Sequence, residues 1–334
     1  MTPTQHNCGM SPSTVFAPPA AAFVCLIALA PHAGAQSYPA KPVRIVVSLA
    51  SAGGMDITMR MVAQKLGERF GPQFFVENRP GAGGALGSEL VAKAPPDGYT
   101  LLAASIAYAV IPSSHKNLPY DPVHDLTPVV VMVKTSNVLV VHPSLPVRSV
   151  RELIALAKAH PGELRYSSSG HGGSANLIIE AFKLATGTDI LHVPYRGATA
   201  GVVDLLAGRI SLSIVSVASS MAYVKQGRLR ALATPGAKRT PAAPELPTIA
   251  ESGVPGFAVE NWYAIFAPAA TPKEILAQLN VEIGKILYAP ELQERLAVNG
   301  LEPAAEPLPN TNAYIKSEIA RWAKVVKAAS IAAE

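Results

Sequence analysis

The sequence predicts an α/β protein of two lobes, each a mixed sheet flanked by helices, with a ligand cleft between them. Three observations carry this. Apolar strand-like runs alternate with amphipathic helical runs along most of the chain, the pattern of sheets covered by helices. The strand–loop–helix units fall into two groups, residues 43–133 and 138–215. Glycine-rich loops divide between those groups, and ligands of such sheets gather at the carboxyl ends of strands.

The elements follow in order. "VRIVVS" (43–48) reads as a strand, and the helix after it, from about Asp56, repeats Met59, Val62, Leu66 and Phe70 on one face. "QFFVEN" (73–78) is a strand, followed by "RPGAGG" and a helix with Leu86, Leu90 and Ala94 in register. "TLLAAS" (100–105) ends in a short loop, and "TPVVVMV" and "NVLVVHP" are two apolar strands split by residues 134–137. Ser149 and Glu152, three apart, form a capping box for the next helix. "ELRYSSS" leads through a glycine loop into a helix with Leu177, Ala181 and Leu184, and "DILHVPY" into one with Val202 and Leu206. "RISLSIVSV" and "RLRALAT" are the last strands of the second group. Near the end, Thr271 is expected as N-cap with Pro272 in the first turn and Glu274 closing the box. The last helix, from about Thr311, puts Ile315, Ile319, Trp322 and Val326 on one side. These C-terminal helices have no binding loop of their own and are expected to pack on the first lobe, giving residues 36–137 and 231–334 as lobe 1 and 138–230 as lobe 2.

The chain is 334 residues long, 49% hydrophobic and 15% charged, against roughly 25% charged in average domains. That is enough apolar chain for one large or two moderate cores. Residues 1–35 contain no Asp, Glu, Lys or Arg, and an apolar stretch there ends in Ala33, Gly34 and Ala35. The A-x-A pattern reads as a signal peptide cut before Gln36, placing the mature protein in the periplasm. Both cysteines, Cys8 and Cys25, lie in that leader, so the core must hold without disulfides. The net charge of +5 comes from scattered basic residues without interleaved aromatics, which disfavours nucleic acid as a partner.

Three loops join a strand to a helix through glycines: residues 50–56, 78–87 and 167–176. Glycines let backbone N–H groups turn toward a ligand, and a helix N-terminus adds partial positive charge. Each loop therefore suits a carboxylate or a phosphate. A dinucleotide site is disfavoured, because the third glycine of the fingerprint would fall at Leu86 and "TLLAAS" supplies no acid for a ribose. A P-loop is disfavoured because no Gly-Lys-Ser/Thr is present. Ser174 sits in "GGSAN", not G-x-S-x-G, and His171 and His192 have no metal spacing. Nothing assembles a nucleophile, a base and an oxyanion donor. The reading is a binding protein with no cofactor, no metal and no catalytic residue. An exported hydrolase using Ser174 is the alternative of a different class.

Several segments, in order, carry a resemblance: "YPAKPVRIVV", "VENRPGAGG", "APPDGYTLL", "KNLPYDPVHDLTPV", "HVPYRG", "LRALAT", "PELPTIAESGVPGF" and "APAATPKEILAQLN". Over residues 38–334 the chain resembles the periplasmic solute-binding proteins of tripartite tricarboxylate transporters, the TctC or Bug family. The resemblance implies a type II-like periplasmic-binding-protein fold that closes over a small carboxylate: a di- or tricarboxylate, an acidic amino acid or an aromatic carboxylate. It implies a monomer that delivers the ligand to membrane permease subunits, or presents its closed form to a sensor kinase ectodomain. By motif position it implies ligand contacts from Ala52, Gly53, Gly54, Met55 and Asp56 in the first loop, and from Ser105 and Ala107 after the third strand. In the second lobe it implies Ser169, Gly170, His171, Gly172 and Ser174, then Tyr195, Gly197 and Ala198, with Val215 and Ser216 at a strand end. Six positions depart from the family's habit. Ala52 stands for a glycine and Met55 for a threonine, Ile106 and Tyr108 stand where Asn and Thr are common, and Val215 and Ser216 where Asp-Asn is common. These changes remove polarity or add bulk, so a less polar ligand, an aromatic or short-chain monocarboxylate, is expected over citrate. For Asp56 the first expectation is structural, an acid at a helix N-terminus.

Overall fold

The computed structural model describes residues 38–49, 51, 54–115, 117–195 and 197–329. The signal-peptide reading, Ala52 and Gly53 lie outside the described residues. The chain first lays down β1 (Val43–Val47), α1 (Gly54–Phe70), β2 (Phe74–Asn78), α2 (Ala85–Ala92), β3 (Thr100–Ser105), α3 (Ile111–Ser114) and β4 (Leu126–Thr135). A second series follows: β5 (Asn137–Val141), α4 (Val150–Ala159), β6 (Arg165–Ser168), α5 (Ser174–Thr186), β7 (Leu191–Pro194), α6 (Ala198–Leu206), β8 (Leu212–Ser216), α7 (Val217–Lys225) and β9 (Arg230–Ala233). The chain ends with β10 (Asn261–Pro268), α8 (Lys273–Leu287), α9 (Pro290–Val298), β11 (Leu301–Pro303) and α10 (Leu308–Ala329).

Two mixed sheets result, ordered β11-β4-β10-β3-β1-β2 and β7-β6-β8-β5-β9. In each, three parallel strands (β2, β1, β3 and β7, β6, β8) meet an antiparallel strand, β10 or β5, that has crossed from the other sheet. The carboxyl ends of the parallel strands in both sheets therefore carry the loops to their helices. Strand alternation sorts the core: Val138 and Val140 of β5 join one hydrophobic cluster, Leu139 and Val141 another, as a period of two requires.

The crossings between sheets are short at one side. Ser136 alone separates β4 from β5. Its N–H donates to Gly300 O (2.8 Å), and its carbonyl accepts from Val217 N (2.9 Å). The hydroxyls of Ser136 and Thr240, the latter on the return segment, lie 2.5 and 2.6 Å from one oxygen of Glu302 on β11. Both crossings are thus tied to the first sheet.

Several local expectations are refined. Ser149 Oγ accepts from Glu152 N–H (3.2 Å), while Glu152 receives Arg148 N–H (2.6 Å), so the capping pair forms one residue out of its usual register. Thr271 does not cap α8: the N-cap is Pro272, with no side-chain bond. In α2 the buried face is Ala85, Gly87, Ser88 and Val91, and Leu86 is exposed. The reason is a close approach. A Cβ on Gly87 would lie 3.0 Å from Arg79 O and 3.1 Å from Ser48 Cα, so α2 turns its small residues onto the end of β1. Gly87→Ala is expected to push α2 outward at a cost of about 1–3 kcal/mol, measurable by denaturant unfolding. The C-terminal helices also do more than expected. While α8 packs on α1 and β4, α10 packs on β4 and α3 and also on α5 beside the second sheet. At 22 residues it spans about 33 Å, more than one lobe's face.

Candidate functional site

A cavity of about 230 Å³ opens where the strand ends of the two sheets face each other. Ser48 and Leu49 after β1, residues of the glycine loop after β2, and Ser105 and Ala107 after β3 line one side. Ser169, His171, Gly172, Gly173 and Ser174, between β6 and α5, line the other. Asn261 and Tyr263 of β10 complete the wall. Among the described lining residues there is no Lys, Arg, Asp or Glu.

The electrostatics come from backbone. Gly84 is the N-cap of α2 and Gly173 the N-cap of α5, and neither helix start receives a side-chain cap. Ahead of α2 the N–H groups of Gly84 and Ala85 already donate to the carbonyls of Gly81 and Ala82, so that helix contributes chiefly the positive end of its dipole, whereas the first turn of α5 also offers its N–H groups to an anion in the cavity. Gly84 takes φ 101° and its Cβ would meet Ser48 Oγ at 3.3 Å, so only glycine lets this turn lie against β1. The N–H of Gly172 is directed elsewhere, to Asn176 Oδ1 (3.0 Å).

The second wall is braced from behind. His192 Nε2 lies 2.6 Å from Ser168 Oγ, and its ring stacks on Tyr166 at 4.8 Å. Asn176 Nδ2 donates to Tyr166 Oη (2.7 Å), which donates to Glu180 (2.7 Å). Burial, and then Glu180, hold the Tyr166 phenol well above its ordinary range. On β10, burial pushes the Tyr263 phenol up to about 12, so it meets a ligand as a neutral group at any physiological pH. Asn261 is 5% exposed and its Oδ1 has no protein partner among the described residues. A buried amide in that state is costly, and it borders the cavity.

The residues expected from the sequence are distributed as follows. Ser105, Ala107, Ser169, His171, Gly172 and Ser174 meet at the cavity. Gly170 shapes their loop at φ 120°. Gly54 lies against the wall: a Cβ there would come within 3.0 Å of Tyr263 Oη. Asp56 is 4% exposed and engages Arg60 through both oxygens (3.0 and 3.1 Å). Arg60 also donates to Asn78 Oδ1 (3.1 Å), and Asn78 to Leu49 O (3.2 Å). Asp56 thus links the start of α1, through Arg60 and Asn78, to Leu49 at the end of β1. Tyr195 donates to Asp204 (2.7 Å), and Gly197 and Ala198 beside it begin α6; none of the three is among the described lining residues of this cavity. Ser216 N-caps α7 and pairs with Asn137 next to the crossing.

The residues behind the expectation of a less polar ligand are not among the described lining residues of this cavity. Met55, Ile106, Tyr108 and Val215 are 1%, 0%, 2% and 8% exposed and belong to the hydrophobic cores. Tyr108 donates its hydroxyl to Pro122 O. Their bulk fills the lobes, and the cavity is lined by hydroxyls, an amide and glycine backbone together with Leu49, Pro80 and Ala107. Sequence reading passed over Asn261 and Tyr263, although two polar-headed residues two apart in "NWYAIFAP" share one face of an otherwise apolar strand. It also noticed the glycines of 78–87 without assigning them to the site.

Two like-ordered sheets joined by paired crossings, with a cavity between their strand ends, define a two-lobed solute-binding protein. The chain belongs to the TctC family, the tripartite tricarboxylate transporter family receptors, whose pattern matches residues 58–331. That family is one of receptors, not enzymes. BugT of Bordetella pertussis is 36% identical over 307 residues, covering 91% of this chain and 94% of BugT. The structure of R. palustris Rpa4515 with adipate is 38% identical with a TM-score of 0.78, over 88% of this chain and 99% of that one. MatC from Rhodopseudomonas palustris with bound malate is 26% identical with a TM-score of 0.75, over 86% and 100%. No helix of the described residues is long and apolar enough to cross a membrane.

Proposed function

We propose that this protein captures a small carboxylate in the cavity between its lobes and delivers it to the membrane subunits of a tripartite tricarboxylate-type transporter. Residues 1–35 act as the export leader, and hinge closure about the crossings at Ser136 and 234–260 signals occupancy. The observation that carries the reading is the open start of α5, with the α2 N-terminus beside it, bordering a cavity without charged acids or bases among its described lining residues. Such a site suits an anion of modest size. The similarity to proteins holding adipate and malate favours a short dicarboxylate.

Mass spectrometry of the small molecules released from the protein purified out of its native periplasm tests this. A carboxylic acid in stoichiometric amount is expected. A sugar, an amine or a phosphate ester in its place would overturn the reading.

A further inference from the structure

Hydroxyls and helix starts suffice for one carboxylate. A second carboxylate on the same ligand brings another negative charge out of water, which is costly unless a partner meets it. Among the described lining residues, His171 has the one side chain able to become a cation. It stands between Gly170 and Gly172, whose φ values of 120° and 71° suit glycine. These two turns hold the imidazole at the tip of the β6–α5 loop, beside the α5 helix start.

We propose that His171 receives the second carboxylate of a dicarboxylate ligand as an imidazolium, so that capture of the dianion takes up one proton. This rests on the carboxylate reading above. Imidazole is the side chain whose charge ordinarily changes between pH 5 and 8. Its neighbours limit the uptake to one proton. His192 on β7 meets the His171 ring edge-on at 4.8 Å, and two imidazoliums at that distance would repel. Ser168 Oγ, 2.6 Å from His192 Nε2, also accepts Gly170 N–H (3.0 Å) and lies 2.9 Å from Gly170 O. The titratable groups farther back are Tyr166 on β6 and Glu180 and Lys183 on α5. Glu180 accepts from Tyr166 and pairs with Lys183 at 2.9 Å. Across the cavity the titratable group on β10 is Tyr263.

Calorimetric titration of the mature protein tests this, with adipate, malate and the monoacid hexanoate, at pH 6, 7 and 8, in two buffers of different ionisation enthalpy. The dicarboxylates are expected to bind with proton uptake averaging about half a proton over this range and to weaken about tenfold from pH 6 to pH 8, while hexanoate shows neither effect. In His171→Gln the slope and the proton uptake are expected to vanish, with an unchanged melting temperature reporting an intact fold. A dicarboxylate that binds independently of pH, an unchanged slope in His171→Gln, or binding confined to monocarboxylates would overturn the histidine proposal and leave the carboxylate reading standing. Failure of every carboxylate to bind at every pH would remove both.

Discussion

Replacing Trp322 with alanine is expected to destabilise the protein by about 3–5 kcal/mol, lowering the melting temperature by on the order of 10 °C. Trp322 is fully buried, and with Ile315 and Val326 it forms the inner face of α10. The same helix is held to β10 by Trp262 Nε1 donating to Glu318 (3.0 Å), and to the segment before β10 by Arg321 donating to Ala258 O (2.6 Å). Alanine would leave a void the size of an indole at the place where α10 passes from β4 to α5, and a rigid sheet beneath cannot collapse to fill it. Trp322→Phe keeps most of the apolar volume and is expected to cost less than half as much. Equal losses for the two variants, or a loss below about 1 kcal/mol for alanine, would contradict this placement of α10. Calorimetric melting of both variants supplies the comparison.

Ser174→Trp is expected to abolish ligand capture with little effect on folding. Ser174 is the first residue of α5 and lines the cavity. An indole there would occupy most of the roughly 230 Å³ and cover the uncapped N–H groups at the helix start. The first turn of a helix accepts Trp at a propensity cost below about 1 kcal/mol. Affinity should therefore fall by about 100-fold or more, equivalent to at least about 2.7 kcal/mol, while the ligand-free melting temperature stays within a few degrees. Ser174→Ala removes one hydroxyl and is expected to weaken binding by less than about tenfold, in line with a single neutral hydrogen bond. A Trp variant that still binds at native affinity would place the ligand elsewhere.

The two-lobed architecture was legible because it rests on patterns that survive local detail. The short apolar runs at 43–47 and 137–141 read as strands buried on both faces, and the three-four spacing of Met59, Val62 and Leu66 names a buried helix face; the fold keeps each of them. The site was legible where loops are defined by glycine, as at residues 169–174. It was less legible where a side chain's direction decides its role. Met55 and Ile106 belong to segments adjoining the cavity, yet their side chains lie in the hydrophobic cores, and no spacing rule for two residues at the start of a helical turn separates those outcomes. The face of α2 was misread for a related reason: apolar periodicity picks Leu86, whereas contact between Gly87 and Ser48 sets the rotation. Asn261 and Tyr263 were hidden because β10 returns to the first sheet after a long excursion and pairs between β3 and β4, a long-range pairing that local patterns do not specify.

Thermal denaturation with adipate and with its neutral diamide tests most directly whether the cavity binds an anion through helix starts and hydroxyls. The diamide has nearly the same shape and carries no charge. Adipate at 100 times its Kd is expected to add about 2.7 kcal/mol of stability, and the diamide at the same concentration none. Equal stabilisation by the diamide, or none by adipate, malate or any other small carboxylate, would contradict an anion-binding cavity.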